Sequence, residues 1–188
     1  MQEIRWGSIG CGHVMEVKSG PALQNVAHST LIGVMRRDKQ MAEDFARRHG
    51  VQKWYHNAQR LINDPDINAI YIATPPDSHL RYTQLAAEAG KPVYVEKPMA
   101  NSYAECQEMV QICEQHDVPL FVAYYRRALP RYLKVKEILD SGQLGEIKEV
   151  QVKLHHAAKA TDISGDSNWR VNPEVAGCGY FCDLGSHI

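Results

Sequence analysis

The sequence predicts an α/β fold built on a doubly wound parallel sheet, and three observations carry the prediction. Short, nearly continuous apolar runs recur along the first two thirds of the chain, as strands buried on both faces require. Between them lie segments with helical spacing and recognisable caps. A glycine pair, Gly10-x-Gly12, directly follows the first run, where such sheets turn into their first helix.

Residues 4–10 (IRWGSIG) form the first strand and residues 30–36 (TLIGVMR) the second. Asp38 caps a helix through Ala42, Phe45 and Ala46, which Gly50 ends. Trp54 and Tyr55 mark a short third strand. Residues 69–74 (AIYIAT) form a fourth, stopped by Pro75 and Pro76. A helix over residues 78–89 follows, with Leu80, Leu85 and Ala89 inward and Gly90 after it. Residues 92–96 form the fifth strand. Ser102 and Glu105 make a capping box for a helix carrying Met109, Ile112 and Cys113. Residues 119–124 (PLFVAY) complete the set. Six strands in this rhythm fit the spatial order 3-2-1-4-5-6 of a Rossmann-type sheet, with ligands outside the carboxyl ends of the strands.

Past residue 125 the pattern changes. A helix over residues 130–139 is closed by Gly142, and residues 146–156 (EIKEVQVKLHH) alternate like a strand with one wet face. The expected division is a dinucleotide-binding domain over 1–125 and, over 126–188, the start of a second α/β (α+β) domain with an open sheet.

Composition excludes several classes of function. Lys and Arg number 21 against 22 Asp and Glu, a formal net charge of -1, so nothing favours a nucleic-acid partner. No apolar run approaches the ~20 residues of a membrane span. Glu3 and Arg5 stand where a signal peptide would build its apolar region. Cys11, Cys106, Cys113, Cys178 and Cys182 lack metal-binding spacing and read as reduced thiols, so a cytoplasmic protein without a metal is expected.

The glycine loop is the first candidate site. Gly10 suits a tight turn, Gly12 lets the backbone approach a pyrophosphate, and the helix start behind Cys11, His13 and Val14 offers free N–H groups. The third position of the G-x-G-x-x-G pattern is Met15, so helix and strand are expected slightly further apart. A plain structural turn is the alternative. An acid about 20 residues on would bind the ribose 2′-hydroxyl of NAD. Arg36 and Arg37 stand there instead. Guanidinium groups suit a 2′-phosphate by charge and by forked hydrogen bonds, which favours NADP over NAD. The alternative is two solvated arginines, with Asp38 capping its helix or turning back to the ribose.

At the carboxyl end of the fifth strand, Glu96 and Lys97 arrive together before Pro98, beside Thr74-Pro75-Pro76 at the end of the fourth. They read either as a solvated strand end or as charges held toward a ligand.

Gly10-Cys11-Gly12, the ATPP of residues 73–76 with His79 behind it, Glu96-Lys97-Pro98, the arginine pair at 126–127, Trp169-Arg170 and DLGSHI at 183–188 occur in the order of one family. Across essentially its whole length the sequence resembles the Gfo/Idh/MocA oxidoreductases. The resemblance implies a tightly held nicotinamide cofactor, and hydride transfer to or from a hydroxyl or carbonyl carbon of a sugar, polyol or dihydrodiol. It implies Lys97, Asp183 and His187 as the catalytic residues. Thr74, Pro75, His79, Glu96, Lys97, Trp169 and Arg170 are then expected beside the cofactor. His79 reads equally well as a packing group, and Trp169-Arg170 as a surface cation–π pair. Lys18 and Tyr124 are candidates for touching substrate, but read better as a solvated helix charge and a strand-end aromatic.

In the implied mechanism His187 takes the proton of a substrate hydroxyl. Asp183, four residues earlier and on the same helical face, orients the substrate or steadies the charge on His187. Lys97 donates to the developing alkoxide. A homo-oligomer through the second domain is implied for the full-length protein, since the sequence reads as the front part of a longer enzyme. The family also contains a repressor that binds dinucleotide without turnover. A non-catalytic regulator is therefore the alternative, against which the intact Lys97, Asp183 and His187 argue.

Overall fold

Strands β1 (Ile4–Ile9), β2 (Ser29–Met35), β3 (Lys53–Tyr55), β4 (Ala69–Ile72), β5 (Val93–Val95) and β6 (Leu120–Val122) hydrogen-bond in the order β3-β2-β1-β4-β5-β6. Every pairing is parallel. The structure is a computed structural model that describes residues 3–158, 160–164, 168–185 and 187. The expected strand order is thus observed, with strand bounds within two residues of the apolar runs.

Each face of the sheet has its own core, which is what a doubly wound sheet means physically. On one face Ile9, Ile32, Ile70, Ile72, Val93 and Val95 pack with Leu61 and Ile62 of α3 (Ala58–Ile62), Ala86 of α4 (His79–Glu88) and Met109 of α5 (Tyr103–Gln115). On the other, Leu31, Val34 and Tyr71 pack with Leu23 of α1 (Gly20–Asn25) and with Phe45 and Ala46 of α2 (Lys39–His49). Neighbours in sequence, such as Ile70 and Tyr71, fall into opposite cores because successive strand residues face opposite ways. The register shifts once, between Trp6 and Gly7 of β1, which pair with Leu31 and Gly33. Ile32 is the extra residue of that bulge, so Leu31 and Val34 share one face.

The caps agree with the sequence. The Asp38 side chain accepts from the Met41 N–H at 3.0 Å, and Gly50 closes α2 in the left-handed region at φ 65°. Ser102 accepts from the Glu105 N–H at 3.2 Å, but the Glu105 carboxylate takes the N–H of Asn101 and not that of Ser102. On α4 the fully buried residues are His79, Thr83, Ala86 and Ala87, with Leu80, Leu85 and Ala89 partly buried against the core.

The segment behind the glycine loop departs from a plain helix. Met15–Ser19 forms a π-type turn before α1. Met15 is fully buried on the Leu31 face. A Cβ on Gly20 would stand 2.3 Å from the Met15 carbonyl oxygen, so the turn excludes a side chain there.

The chain divides into two compact units, Met1–Ala123 and Tyr124–Ile188. The second contains α6 (Pro130–Asp140), α7 (Ala160–Ser164) and α8 (Pro173–Ala176), short 3₁₀ turns at Tyr125–Ala128 and Trp169–Val171, and a π-type turn at Phe181–Gly185. The strand expected over residues 146–156 is not formed: among the described residues this stretch pairs in no sheet. An alternating pattern becomes a strand only with a ladder partner and a covered face. Val150, Val152 and Leu154 here are 76%, 57% and 54% exposed. The expectation of five reduced cysteines is also corrected, since Cys178 and Cys182 are paired, with Cα atoms 5.4 Å apart. Their four-residue separation, with the left-handed Gly179 (φ 59°) between them, leaves the Cα atoms in disulfide range without a CxxC spacing. Cys11, Cys106 and Cys113 are free thiols.

Among the described residues no helix is long and apolar enough to cross a membrane, and no group of three or more His, Cys, Asp or Glu side chains is placed to hold a metal ion.

Candidate cofactor site and strand-end charges

Three loops leave the sheet side by side at its carboxyl edge. The Gly10 N–H donates to the Met35 carbonyl at 2.9 Å, Ala73 to Ile9 at 2.8 Å and Glu96 to Ile72 at 2.9 Å, so the ladder holds the first residue of each loop. Gly10 has φ +98°, and a Cβ there would stand 2.7 Å from the Ala73 carbonyl oxygen. That position needs glycine both for its backbone and for its contact. Gly12 is the opposite case: a Cβ there would meet nothing within 4 Å. The space over the Gly12 backbone is open, as a pyrophosphate approaching the helix start would need. His13 is exposed and Val14 half-buried in the first helical turn. Cys11 is buried, and burial pushes its thiol up to about 11 against the opposing pull of the Arg36 guanidinium. It is an inert thiol.

Arg36 extends from the end of β2 back over this loop. It is half-buried, and its Nη1 donates to the Cys11 carbonyl across a long 3.4 Å. Arg37 is exposed, and Asp38 has one carboxylate oxygen committed to the α2 cap. The structure therefore brings Arg36 to the glycine loop and leaves Arg37 at the surface. An open glycine backbone with a guanidinium beside it fits a phosphate-bearing dinucleotide.

Thr74 and Pro75 follow β4 at the same edge. The Thr74 hydroxyl accepts from Ser78 Oγ at 2.8 Å. Of the two readings of His79, its surroundings fit the packing one. It has no exposed surface, with Nε2 2.8 Å from the Thr74 carbonyl and Nδ1 3.1 Å from the carbonyls of both Pro98 and Met99. Burial pushes this imidazole below its ordinary range, outweighing the opposite pull of the carbonyls. A neutral imidazole carries one N–H, so the ring donates to one of the two loops, after β4 or after β5, and packs between both.

Glu96 and Lys97 close β5, with a cis peptide bond between Lys97 and Pro98. Both are half-buried. Glu96 Oε1 accepts from the Tyr71 hydroxyl at 2.7 Å, and Oε2 accepts from the Lys97 N–H at 3.1 Å. This is not a loosely solvated strand end. Tyr71 itself is fully buried, and desolvation drives its phenol pKa far up, so it remains a proton donor. Its oxygen also lies 2.6 Å from Ser19 Oγ in the π-type turn. The sequence reading missed both Tyr71 and Ser19. The available signal was a tyrosine in the middle of an apolar strand, because a buried phenol needs a hydrogen-bond partner.

In the second unit Asp183 is buried and accepts from Arg170 Nε at 2.7 Å. The Arg170 guanidinium also lies 4.5 Å from the centroid of the Trp169 ring. Arg170 was expected to serve the cofactor; here it neutralises a carboxylate of its own unit. Asp183 belongs to the π-type turn Phe181–Gly185, and His187 follows in a turn, its N–H bonded to the Leu184 carbonyl at 3.0 Å. The two therefore do not share an α-helical face, and a spacing of four does not align them as it would on an α-helix. The His187 ring meets Tyr125 edge-on, with centroids 5.3 Å apart. Ser186 and Ile188 of the DLGSHI segment lie outside the described residues.

A family model described as "Oxidoreductase family, NAD-binding Rossmann fold" matches residues 4–124, and one described as "GFO/IDH/MocA C-terminal domain" matches residues 132–188. The chain is 47% identical to Oxidoreductase P35 of Formosa agariphila over 98% of its own length and 58% of that protein. It is 30% identical to the trans-1,2-dihydrobenzene-1,2-diol dehydrogenase of Mus musculus, covering 85% of this chain and 49% of that one. Among solved structures, KijD10, a 3-ketoreductase from Actinomadura kijaniata in complex with TDP-benzene and NADP, superposes with a TM-score of 0.73 at 25% identity, over 78% of this chain and 46% of that one. The chain thus spans roughly half the length of the relatives it matches.

Proposed function

The chain belongs to the Gfo/Idh/MocA oxidoreductase family and carries its NAD-binding Rossmann domain, and from that premise we propose that it transfers a hydride between NADP and a hydroxyl or carbonyl carbon of a sugar, polyol or dihydrodiol. The observation that carries the cofactor choice is the Arg36 guanidinium beside the open backbone of Gly12. The mouse relative's name, a diol dehydrogenase, and the NADP in the Actinomadura ketoreductase support the same reading. The relatives described above are an oxidoreductase, a dehydrogenase and a ketoreductase, and none is a regulator.

When bound, the nicotinamide accepts or supplies the hydride. The backbone at Gly12 receives the pyrophosphate, and Arg36 pairs with the 2′-phosphate by charge and forked hydrogen bonds. Lys97 donates from Nζ to the substrate oxygen as it gains alkoxide character. His187 takes the hydroxyl proton at a ring nitrogen. Asp183, its charge balanced by Arg170, orients the substrate or steadies the proton on His187. A homo-oligomer formed through the second domain belongs to the same proposal.

The test is turnover by the whole protein with NADP⁺ and a panel of polyols, aldoses and a dihydrodiol, followed by nicotinamide absorbance. Lys97→Met should keep cofactor binding and lose roughly a hundredfold or more in kcat. Full turnover by Lys97→Met would remove Lys97 from the mechanism.

A further inference from the structure

Tyr71 stands on β4 with no exposed surface, facing the α1 and α2 side of the sheet. A phenol buried this completely must find hydrogen-bond partners. It has one on either side: Glu96 Oε1 at 2.7 Å from the end of β5, and Ser19 Oγ at 2.6 Å from the π-type turn behind the glycine loop. The directions follow from proton counting. An ionised carboxylate only accepts, so the phenol proton goes to Glu96 and the Ser19 hydroxyl donates to the phenol oxygen. The second Glu96 oxygen accepts from the Lys97 N–H at 3.1 Å. Both carboxylate oxygens are thus engaged from different directions, which fixes the plane of the group.

The phenol and the Ser19 end of this chain of bonds are themselves held. Tyr94 packs on Tyr71 with ring centroids 5.3 Å apart, and Trp6 packs on Tyr94 at 6.1 Å. Ser19 is aimed by the π-type turn, which Gly20 permits by carrying no Cβ. A π-type turn inside an α-helix has no reason of its own to form, and such turns concentrate at functional sites.

We propose that Tyr71 is a positioning residue for the nicotinamide end of the cofactor site, holding the Glu96 carboxylate in one orientation beside Lys97, with Ser19 setting the phenol. The proposal rests on the reading of Glu96 and Lys97 as neighbours of the nicotinamide, and the experiment separates the two. Tyr71→Phe keeps the ring and removes the bond to Glu96. The probes are NADPH and 2′-phospho-ADP-ribose, which has the adenine, 2′-phosphate and pyrophosphate but no nicotinamide. Each is titrated against the unaltered protein, Tyr71→Phe, Glu96→Ala and the double variant.

Tyr71→Phe should weaken NADPH about five-fold while 2′-phospho-ADP-ribose stays within about two-fold, the size expected from one hydrogen bond to a charged group. In the Glu96→Ala background the same change should do nothing further, because Tyr71 acts through Glu96. Losses that add in the double variant, or that fall equally on both ligands, would make Tyr71 a packing residue and overturn the proposal. If the unaltered protein bound neither ligand, the cofactor reading itself would fall, and this proposal with it. Ser19→Ala, at a half-buried position, should show the same pattern at about two-fold, and its indifference would count against the proposal even if Tyr71→Phe did not fold.

Discussion

Arg170 donates from Nε to the buried Oδ2 of Asp183 across 2.7 Å, while its guanidinium lies 4.5 Å from the centroid of the Trp169 ring. A carboxylate taken out of water needs such a partner, and removing it leaves an uncompensated charge. The pair joins a residue expected at the cofactor to one expected in catalysis.

Arg170→Ala should therefore lower stability by about 1–2 kcal/mol, less than the ~3–5 kcal/mol cost of breaking a fully buried pair, because the Arg170 side chain is 33% exposed and screened by solvent. Urea unfolding of Arg170→Ala, Asp183→Asn and the double variant would check this. The double variant should lose less than the sum of the two.

Gly10 and Gly12 should respond oppositely to the same methyl group. Gly10→Ala meets the Ala73 carbonyl in a left-handed backbone conformation, so it should destabilise the fold by about 2 kcal/mol or more. Gly12→Ala meets nothing in the protein, so its melting temperature should stay put while dinucleotide affinity falls roughly ten-fold or more. Thermal unfolding and cofactor titration of the two variants separate the effects.

Asp64 predicts part of the acid limb of stability. Burial pushes its carboxyl up, but hydrogen bonds from Lys53 Nζ at 2.7 Å, the Tyr55 hydroxyl and the Asp66 N–H at 2.8 Å together hold it at about 2, below its ordinary 3.8. The unfolded chain then binds more protons than the folded one in that interval. The contribution is complete above about pH 4 and is lost as pH falls toward 2; it is on the order of 2 kcal/mol. Asp64→Asn should destabilise at neutral pH and show a flatter stability curve between those values.

His79 makes a fourth prediction. Its ring lies fully buried between the carbonyls of Thr74, Pro98 and Met99, with one N–H to donate. His79→Ala leaves a cavity and removes the one N–H donated to a loop carbonyl, and should cost about 2–4 kcal/mol in urea unfolding. His79→Gln, which can donate to one of the two loops, should recover part of that loss.

The sheet order was legible because each strand of the first unit is an apolar run with punctuation the chain carries locally. Asp38 and Gly50 bracket α2, and Pro75 with Pro76 follows β4. What the sequence did not reveal depends on residues meeting across the fold. Tyr71 and Glu96 are 25 positions apart, and nothing in either local pattern announces their bond. His79 left two readings open, since a histidine's identity says nothing about whether its ring is enclosed. The alternation at residues 146–156 shows the converse: a strand pattern is a statement about one face, and it becomes a strand only when another segment pairs with it. At Asp183 and His187 the spacing argument assumed an α-helix, and the backbone there is a π-type turn.

The central claim is a dinucleotide site at the carboxyl edge of the sheet in which Arg36 selects NADP. Its most direct test is titration of the unaltered protein and Arg36→Ala with NADPH and with NADH, read by quenching of tryptophan emission. The account predicts NADPH bound at least about ten-fold more tightly than NADH, and a preference that disappears in Arg36→Ala, as loss of a charge-assisted contact to a phosphate requires. Equal affinity for the two cofactors in the unaltered protein, or a preference that survives Arg36→Ala, would contradict it.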